Sequence, residues 1–268
     1  MRLDTSNSAL LALVILIVIC LLLPLFPTQD PLAIAIEKRF VAPNSTNWFG
    51  TDDLGRDLLS RVIRGTALTV GISAAALLSS LVIGVLLGSV AGYNYNRWPD
   101  RVFSWVADFL ISVPFLVVIA AVLSLGEPGL GKAYVVLTAI MWVGPARIVR
   151  AEVIKTMSLD YVSAERALGN TGWRILFITI VPACVDAAIL YSIGYLPEII
   201  AIEAGLSFLG LGVQPPQPSL GKMIFDGMTY LGSAWWIVVS PAAALFVVVT
   251  GVQVVAWYAR RRQHLDQR

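Results

Sequence analysis

Residues 175–211 read ILFITIVPACVDAAILYSIGYLPEIIAIEAGLSFLGL, and the number of times this stretch crosses a bilayer decides the fold. Its 37 residues make about 55 Å of helix at 1.5 Å per residue, against a hydrocarbon core of about 30 Å. Two passes fit that length, and so does one pass followed by a short returning piece. Pro197, Glu198 and Glu203 stand in the second half, where a lipid-exposed span is penalised.

The rest of the chain settles the choice by parity. Ala9–Phe26 is an uncharged run with no small-x-small cleavage site after it, which predicts a retained first helix rather than a signal peptide. Leu68–Tyr93 is the second apolar run, with Gly84 and Gly88 in a G-x-x-x-G spacing that lets another helix approach closely. Val106–Leu125, interrupted by Pro114, is the third, Ala133–Val149 the fourth and Ala234–Trp257 the last. Trp235, Trp236, Trp257 and Tyr258 bracket that last run as an aromatic belt. Six spans place twelve of the 19 Lys and Arg on one side and seven on the other, and the richer side is cytoplasmic. A seventh span puts Arg260, Arg261 and Arg262 outside. The expectation is therefore an all-α polytopic membrane protein with six transmembrane helices, N-in and C-in, and Gly205–Gly212 as a re-entrant or interfacial piece.

Composition agrees. Of 268 residues, 57% are hydrophobic and 13% charged, and the mean hydropathy is +0.79. This excludes a soluble enzyme, a disordered chain and a peripheral protein with one anchor. A net charge of +2 is too small to suggest nucleic acid. Cys20 and Cys184 lie far apart in apolar runs, and His264 is the single histidine. They give no disulfide framework and no zinc site, so a metal site made by this chain alone needs carboxylates or backbone oxygens. There is no G-x-x-x-x-G-K-[ST] pattern, no zincin motif and no Ser/His/Asp set, so hydrolysis of ATP or peptides by this chain is not expected.

Three segments exceed the two to eight residues of an ordinary helix connection: Thr28–Thr66 outside, Arg150–Arg174 inside and Glu203–Gly232 outside. They divide the chain into a first helix plus extracytoplasmic segment (1–66), a five-helix core (67–260) and a cytoplasmic tail (261–268). In the inner segment, Ser158 or Asp160 can cap a helix, Val162, Ala164, Ala167 and Leu168 fall near one face, and Gly169-Asn170 stops it. A short amphipathic helix at about 158–170 either lies on lipid or docks into a groove on a soluble partner.

Here the sequence resembles a known family. Tyr161-Val-Ser-Ala-Glu-Arg-Ala-Leu-Gly169, with Arg174 and Pro182, is similar to the EAA coupling motif of ABC-importer permeases. Gly50-Thr-Asp-Asp-Leu-Gly-Arg-Asp57 with Ser60 and Arg61, and Glu203-Ala-Gly-Leu-Ser-Phe-Leu-Gly-Leu-Gly212 with Pro215 and Pro216, resemble two further signatures of the dipeptide, oligopeptide and nickel branch, C-type subunit. Glu165 departs from the pattern, standing where the family usually has the second alanine of its EAA run.

The resemblance implies a type I ABC-importer permease in a bacterial or archaeal cytoplasmic (inner) membrane, carrying peptides, nickel or a small metal chelate. It implies a heterodimer with a homologous second permease, two cytoplasmic ATPase subunits or domains, and an extracytoplasmic substrate-binding protein. It implies no cofactor on this chain, with ATP and Mg held by the ATPases. Asp160, Tyr161, Ala164, Glu165, Ala167, Leu168 and Gly169 are then the ATPase-coupling residues. Glu203, Ser207, Phe208 and Leu209, in a segment at about 203–216, become gate or pore candidates. So does Asp186, a carboxylate inside a span that either faces the pore or meets water near the inner half of span five. Asp52, Asp53, Arg56 and Asp57 read either as a capped entry helix, with Asp53, Asp57 and Arg61 spaced four apart so that Asp57 and Arg61 can pair, or as a contact surface for the binding protein or sister permease. The competing class is a self-sufficient ion-coupled secondary transporter or channel, for which Asp186 is the main support; no inverted repeat accompanies it.

Overall fold

The computed structural model describes residues 5–26, 28–114, 117–118, 121 and 129–266. Among them the chain is helical, with no strand beyond one isolated bridge between Thr51 and Asp57. Helix α1 is Thr5–Leu22 and runs on as a 3-10 turn to Leu25. The extracytoplasmic segment follows, and α2 is Leu58–Tyr93. Helix α3 is Trp98–Ser112. Helix α4 is Leu130–Met157, its regular winding interrupted at Trp142, just before Gly144-Pro145. Helix α5 is Asp160–Ala167, α6 is Gly172–Phe208, α7 is Leu220–Gly227 and α8 is Trp236–Asp266.

Four helices, α2, α4, α6 and the Trp236–Tyr258 part of α8, are long and apolar enough to cross a membrane, and Leu11–Leu25 is a shorter apolar helix. The third expected span begins in α3, and most of it beyond Pro114 lies outside the described residues. The expected boundary at residue 66 falls inside α2, because Asp57 starts the helix well before the apolar run begins. The expected tail at 261–268 continues α8 to Asp266, and residues 267–268 lie outside the described residues.

Helix α6 settles the opening ambiguity: residues 172–208 form one helix of 37 residues. Pro197 makes no break; it is buried inside the helix among Leu196, Ile199 and Ile200. Ile175–Ile180 is wound as a π turn. The expected irregular backbone starts only at Leu209, so Glu203–Phe208 are helical, a correction to the segment expected from residue 203. The chain then reverses through Gly210 and a cis Pro215–Pro216 bond and returns as α7.

The core is continuous across helices. Leu13 of α1, Leu77 of α2, Met141 of α4, Leu190, Leu196 and Ile200 of α6, and Val252 and Ala256 of α8 form one buried cluster. The expected close approach at Gly84 and Gly88 is against α4. A Cβ on Gly84 would stand 2.8 Å from Pro145 Cβ, and one on Gly88 would collide with the Ala146 carbonyl. Gly92 continues the row, with a Cβ there 2.8 Å from the Arg150 carbonyl. Backbone contact along this ridge fixes α4 against α2.

Candidate functional site

At the cytoplasmic end, α5 is a short knob on a fixed base. Its N-cap is Leu159, without a side-chain cap, and Ser158 Oγ donates to the Lys155 carbonyl instead. The expected capping by Ser158 or Asp160 is therefore not made. The C-terminus ends as expected. Gly169 takes φ +82°, its N–H reaches the Arg166 carbonyl at 3.0 Å, and the Asn170 N–H reaches Glu165 O at 3.3 Å. This reciprocal pair is a Schellman turn, and the Asn170 amide also donates to the Glu165 carboxylate.

The expected apolar face is corrected too. Only Val162 is buried, against Val149, Val153, Ile175, Leu176 and Ile180. Ala164 and Ala167 are exposed, Tyr161 is 44% exposed and Leu168 79% exposed. Leu159 and Trp173 are exposed alongside. Apolar groups at a helix this small are left outward, while one valine pins it to α4 and α6.

Two ion pairs brace the same end. Arg150 grips Asp100 through Nε and Nη2 at 2.5 and 3.0 Å, and Arg147 pairs with Asp108. The Arg150 hydrogen bond holds the Asp100 carboxyl below the ordinary carboxylate range; burial opposes this, and the Asn96 N–H assists it.

At the outer end, the residues expected as contact candidates build their own frame. Asp57 is the N-cap of α2 and accepts from Ser60 N, Ser60 Oγ and Asn47 Nδ2 at 2.9, 2.6 and 2.8 Å. Asp52 accepts from Leu54 N, Arg56 N and Arg56 Nε, and pairs with Arg61 at 3.3 Å. The expected Asp57–Arg61 ion pair is absent, since Asp57 is turned toward the cap and Arg61 toward Asp52 and the Pro31 carbonyl. Arg56 is largely covered, and only Asp53 remains substantially open, with Arg56 at 3.6 Å. Trp236 was expected in the aromatic belt. It is buried instead, donates to the Thr51 carbonyl at 3.2 Å and packs on Gly50, because the extracytoplasmic segment folds over it. Trp235, Trp257 and Tyr258 are exposed.

The gate candidates separate. Glu203 is fully buried; Ser207 Oγ donates to its Oε1 at 2.9 Å and accepts from Val213 N at 3.3 Å. Its other oxygen, Oε2, is enclosed beside the Thr69 hydroxyl. Phe208 packs edge-on to Phe225 of α7, and Leu209 is exposed. Asp186 is exposed, but not at mid-membrane. Cys184 Sγ meets Thr156 Oγ1 at 3.6 Å, so this part of α6 lies level with residues beyond Arg150, at the cytoplasmic boundary. Glu198, expected near the outer surface either to line the entrance or to cap a break at Pro197, is exposed on the continuous α6, three residues beyond Tyr195 and seven beyond Tyr191. Their i, i+4, i+7 spacing was a usable signal.

A family model described as a binding-protein-dependent transport system inner membrane component matches residues 84–264, which covers α5, α6 and their anchors. The chain belongs to this family. As a binding-protein-dependent permease it is a multi-pass protein of the cytoplasmic membrane and the transmembrane subunit of an ABC importer. It is 35% identical over 245 residues to a dipeptide transport system permease of Bacillus subtilis, covering 90% of this chain and 76% of the relative. An oligopeptide transport system permease of the same organism is 33% identical over 258 residues, covering 95% and 84%. A chain of the MetNI methionine ABC transporter, solved in inward-facing conformations, shares the fold with a TM-score of 0.58 at 20% identity, over 76% of this permease and 95% of that chain.

Proposed function

We propose that this permease imports peptides as half of a translocation path, paired with a homologous second permease. Two ATPase subunits bind the cytoplasmic face and hold the ATP and Mg; an extracytoplasmic binding protein delivers cargo. The observation that carries this reading is α5, whose Tyr161 and Leu168 stand in water while Val162 alone fixes the helix. Exposed apolar side chains on a rigid, capped knob suit a groove on a soluble partner. Closure of the ATPases then moves α4 and α6, between which the knob is strung, and alternates access. Peptide cargo follows from the similarity to dipeptide and oligopeptide permeases.

The test is a pull-down in mild detergent from the native membrane, with wild type and Leu168→Glu. Wild type brings down an ATPase pair, a second permease and a binding protein whose bound ligand is a peptide; Leu168→Glu loses the ATPases and ATP-driven uptake. Normal assembly and transport by the variant reject the coupling role, and nickel or a metal chelate on the binding protein rejects the peptide cargo.

A further inference from the structure

Side-chain contacts between α6 and α4 set a depth for each residue of α6. Tyr195 Oη donates to Met141 Sδ at 3.2 Å, level with the middle of the apolar run 133–149. One turn toward the cytoplasm, the Tyr191 ring fills the notch at Gly144, where a Cβ would come within 3.0 Å of it. Glu198 lies three residues beyond Tyr195, about 4–5 Å nearer the outer surface at 1.5 Å per residue. Its carboxylate is therefore at hydrocarbon depth. It is exposed, and among the described residues it makes no ion pair and no hydrogen bond.

Tyr191, Tyr195 and Glu198 share one face of α6. The two rings are 5.4 Å apart, and Glu198 follows them at three and seven residues' spacing on the same helix. Arg147 and Arg150 of α4 are paired with Asp108 and Asp100, Glu203 is enclosed, and Asp186 sits at the cytoplasmic boundary. A lone carboxylate facing lipid here is costly, so this face looks onto the aqueous side of the assembled importer. A carboxylate beside aromatic rings is the pairing that takes an ammonium group, through a charge-assisted hydrogen bond and the ring faces. Every unblocked peptide carries such a group at its amino terminus.

We propose that Glu198, flanked by Tyr191 and Tyr195, is a membrane-depth subsite for the free amino terminus of the cargo. This rests on the peptide-import reading above. The test uses the whole importer in proteoliposomes, with ATP on the ATPase side. Uptake is measured for a dipeptide and for the same dipeptide N-acetylated. One binding protein serves throughout, so its own preference cancels between variants. Glu198→Gln lowers the free-to-acetylated uptake ratio about tenfold, the size of one charge-assisted contact. Glu198→Asp keeps the ratio within about threefold, since the charge stays. Tyr195→Ala lowers it and Tyr195→Phe, which keeps the ring, does not; these two read the same ratio should Glu198→Gln fail to assemble. An unchanged ratio in both Glu198→Gln and Tyr195→Ala, with wild type importing peptide, overturns the subsite alone. A wild-type complex that hydrolyses ATP and imports neither peptide overturns the peptide reading and the subsite with it.

Discussion

The extracytoplasmic segment before α2 and the cytoplasmic segment around α5 are built on opposite plans. The outer one is rich in charge, yet Asp52, Asp57 and Arg61 are buried and spend their polar atoms on one another, on Asn47, on Ser60 and on backbone. The inner one buries a single valine and leaves Leu159, Tyr161, Leu168 and Trp173 in the open. Polar residues make the rigid surface here, and apolar residues make the available one. Residue type alone therefore misleads about which end is recognition surface and which is scaffold.

Four substitutions test that contrast, in falling order of expected effect on stability. Asp57→Ala strips the cap of α2 and leaves the buried Asn47 amide and Ser60 N–H unpartnered. It should cost about 3 kcal/mol, read as a lower melting temperature in detergent. Val162→Ala removes the one buried anchor of α5 and should cost about 2 kcal/mol, with loss of ATPase copurification in proportion. A melting curve indistinguishable from wild type for either variant means that the scaffold lies elsewhere.

The Asp100–Arg150 pair gives a pH signature. The folded Asp100 carboxyl is held below its ordinary range, so its contribution is complete above the unfolded pKa and is lost as pH falls through the folded one. Stability between pH 6 and about pH 5 should be insensitive to this pair, with the loss confined to more acid conditions. Asp100→Asn should abolish that acid limb in a melting-temperature series, and an unchanged limb assigns it to other carboxylates. Asp53→Ala is the smallest. Its side chain is half-exposed with a single long contact to Arg56, so the change should stay within about 0.5 kcal/mol. A larger loss, or a specific loss of binding-protein capture, marks Asp53 as the contact residue of the outer face.

Local chemistry was readable in the sequence where a missing side chain decided it, and not at the N-terminus of α5, where neither Ser158 nor Asp160 makes the cap. Gly169 ends α5 because the turn needs a left-handed residue, and Gly84 and Gly88 mark the ridge because only a missing Cβ lets α4 in. What depends on register between distant segments was not readable. Asp57 and Arg61 have ion-pair spacing, but Asn47 and Asp52 arrive from outside the helix and take them apart. Trp236 looks like a belt residue until Gly50 and Thr51 fold across it. Pro197 looks like a break until the helix is seen to be packed on both sides of it. Asp186 drew attention as the carboxylate inside an apolar run; only the Cys184–Thr156 and Tyr195–Met141 contacts show that Glu198 is the deeper one.

Helix α6 also has a mechanical meaning. Four residues after α5 ends, a rod of about 55 Å begins, unbroken by Pro197 and rooted in the π turn at Ile175–Ile180. Such a wide turn is a looser winding than the helix beyond it, so it is the natural fulcrum of a lever. The helix beyond that fulcrum is about 42 Å long, so a tilt of about 10° swings its far end by about 7 Å. There Ser207 ties Glu203 to the Val213 amide, so the far end of the rod is fastened, by way of one hydroxyl, to the turn that leads into α7.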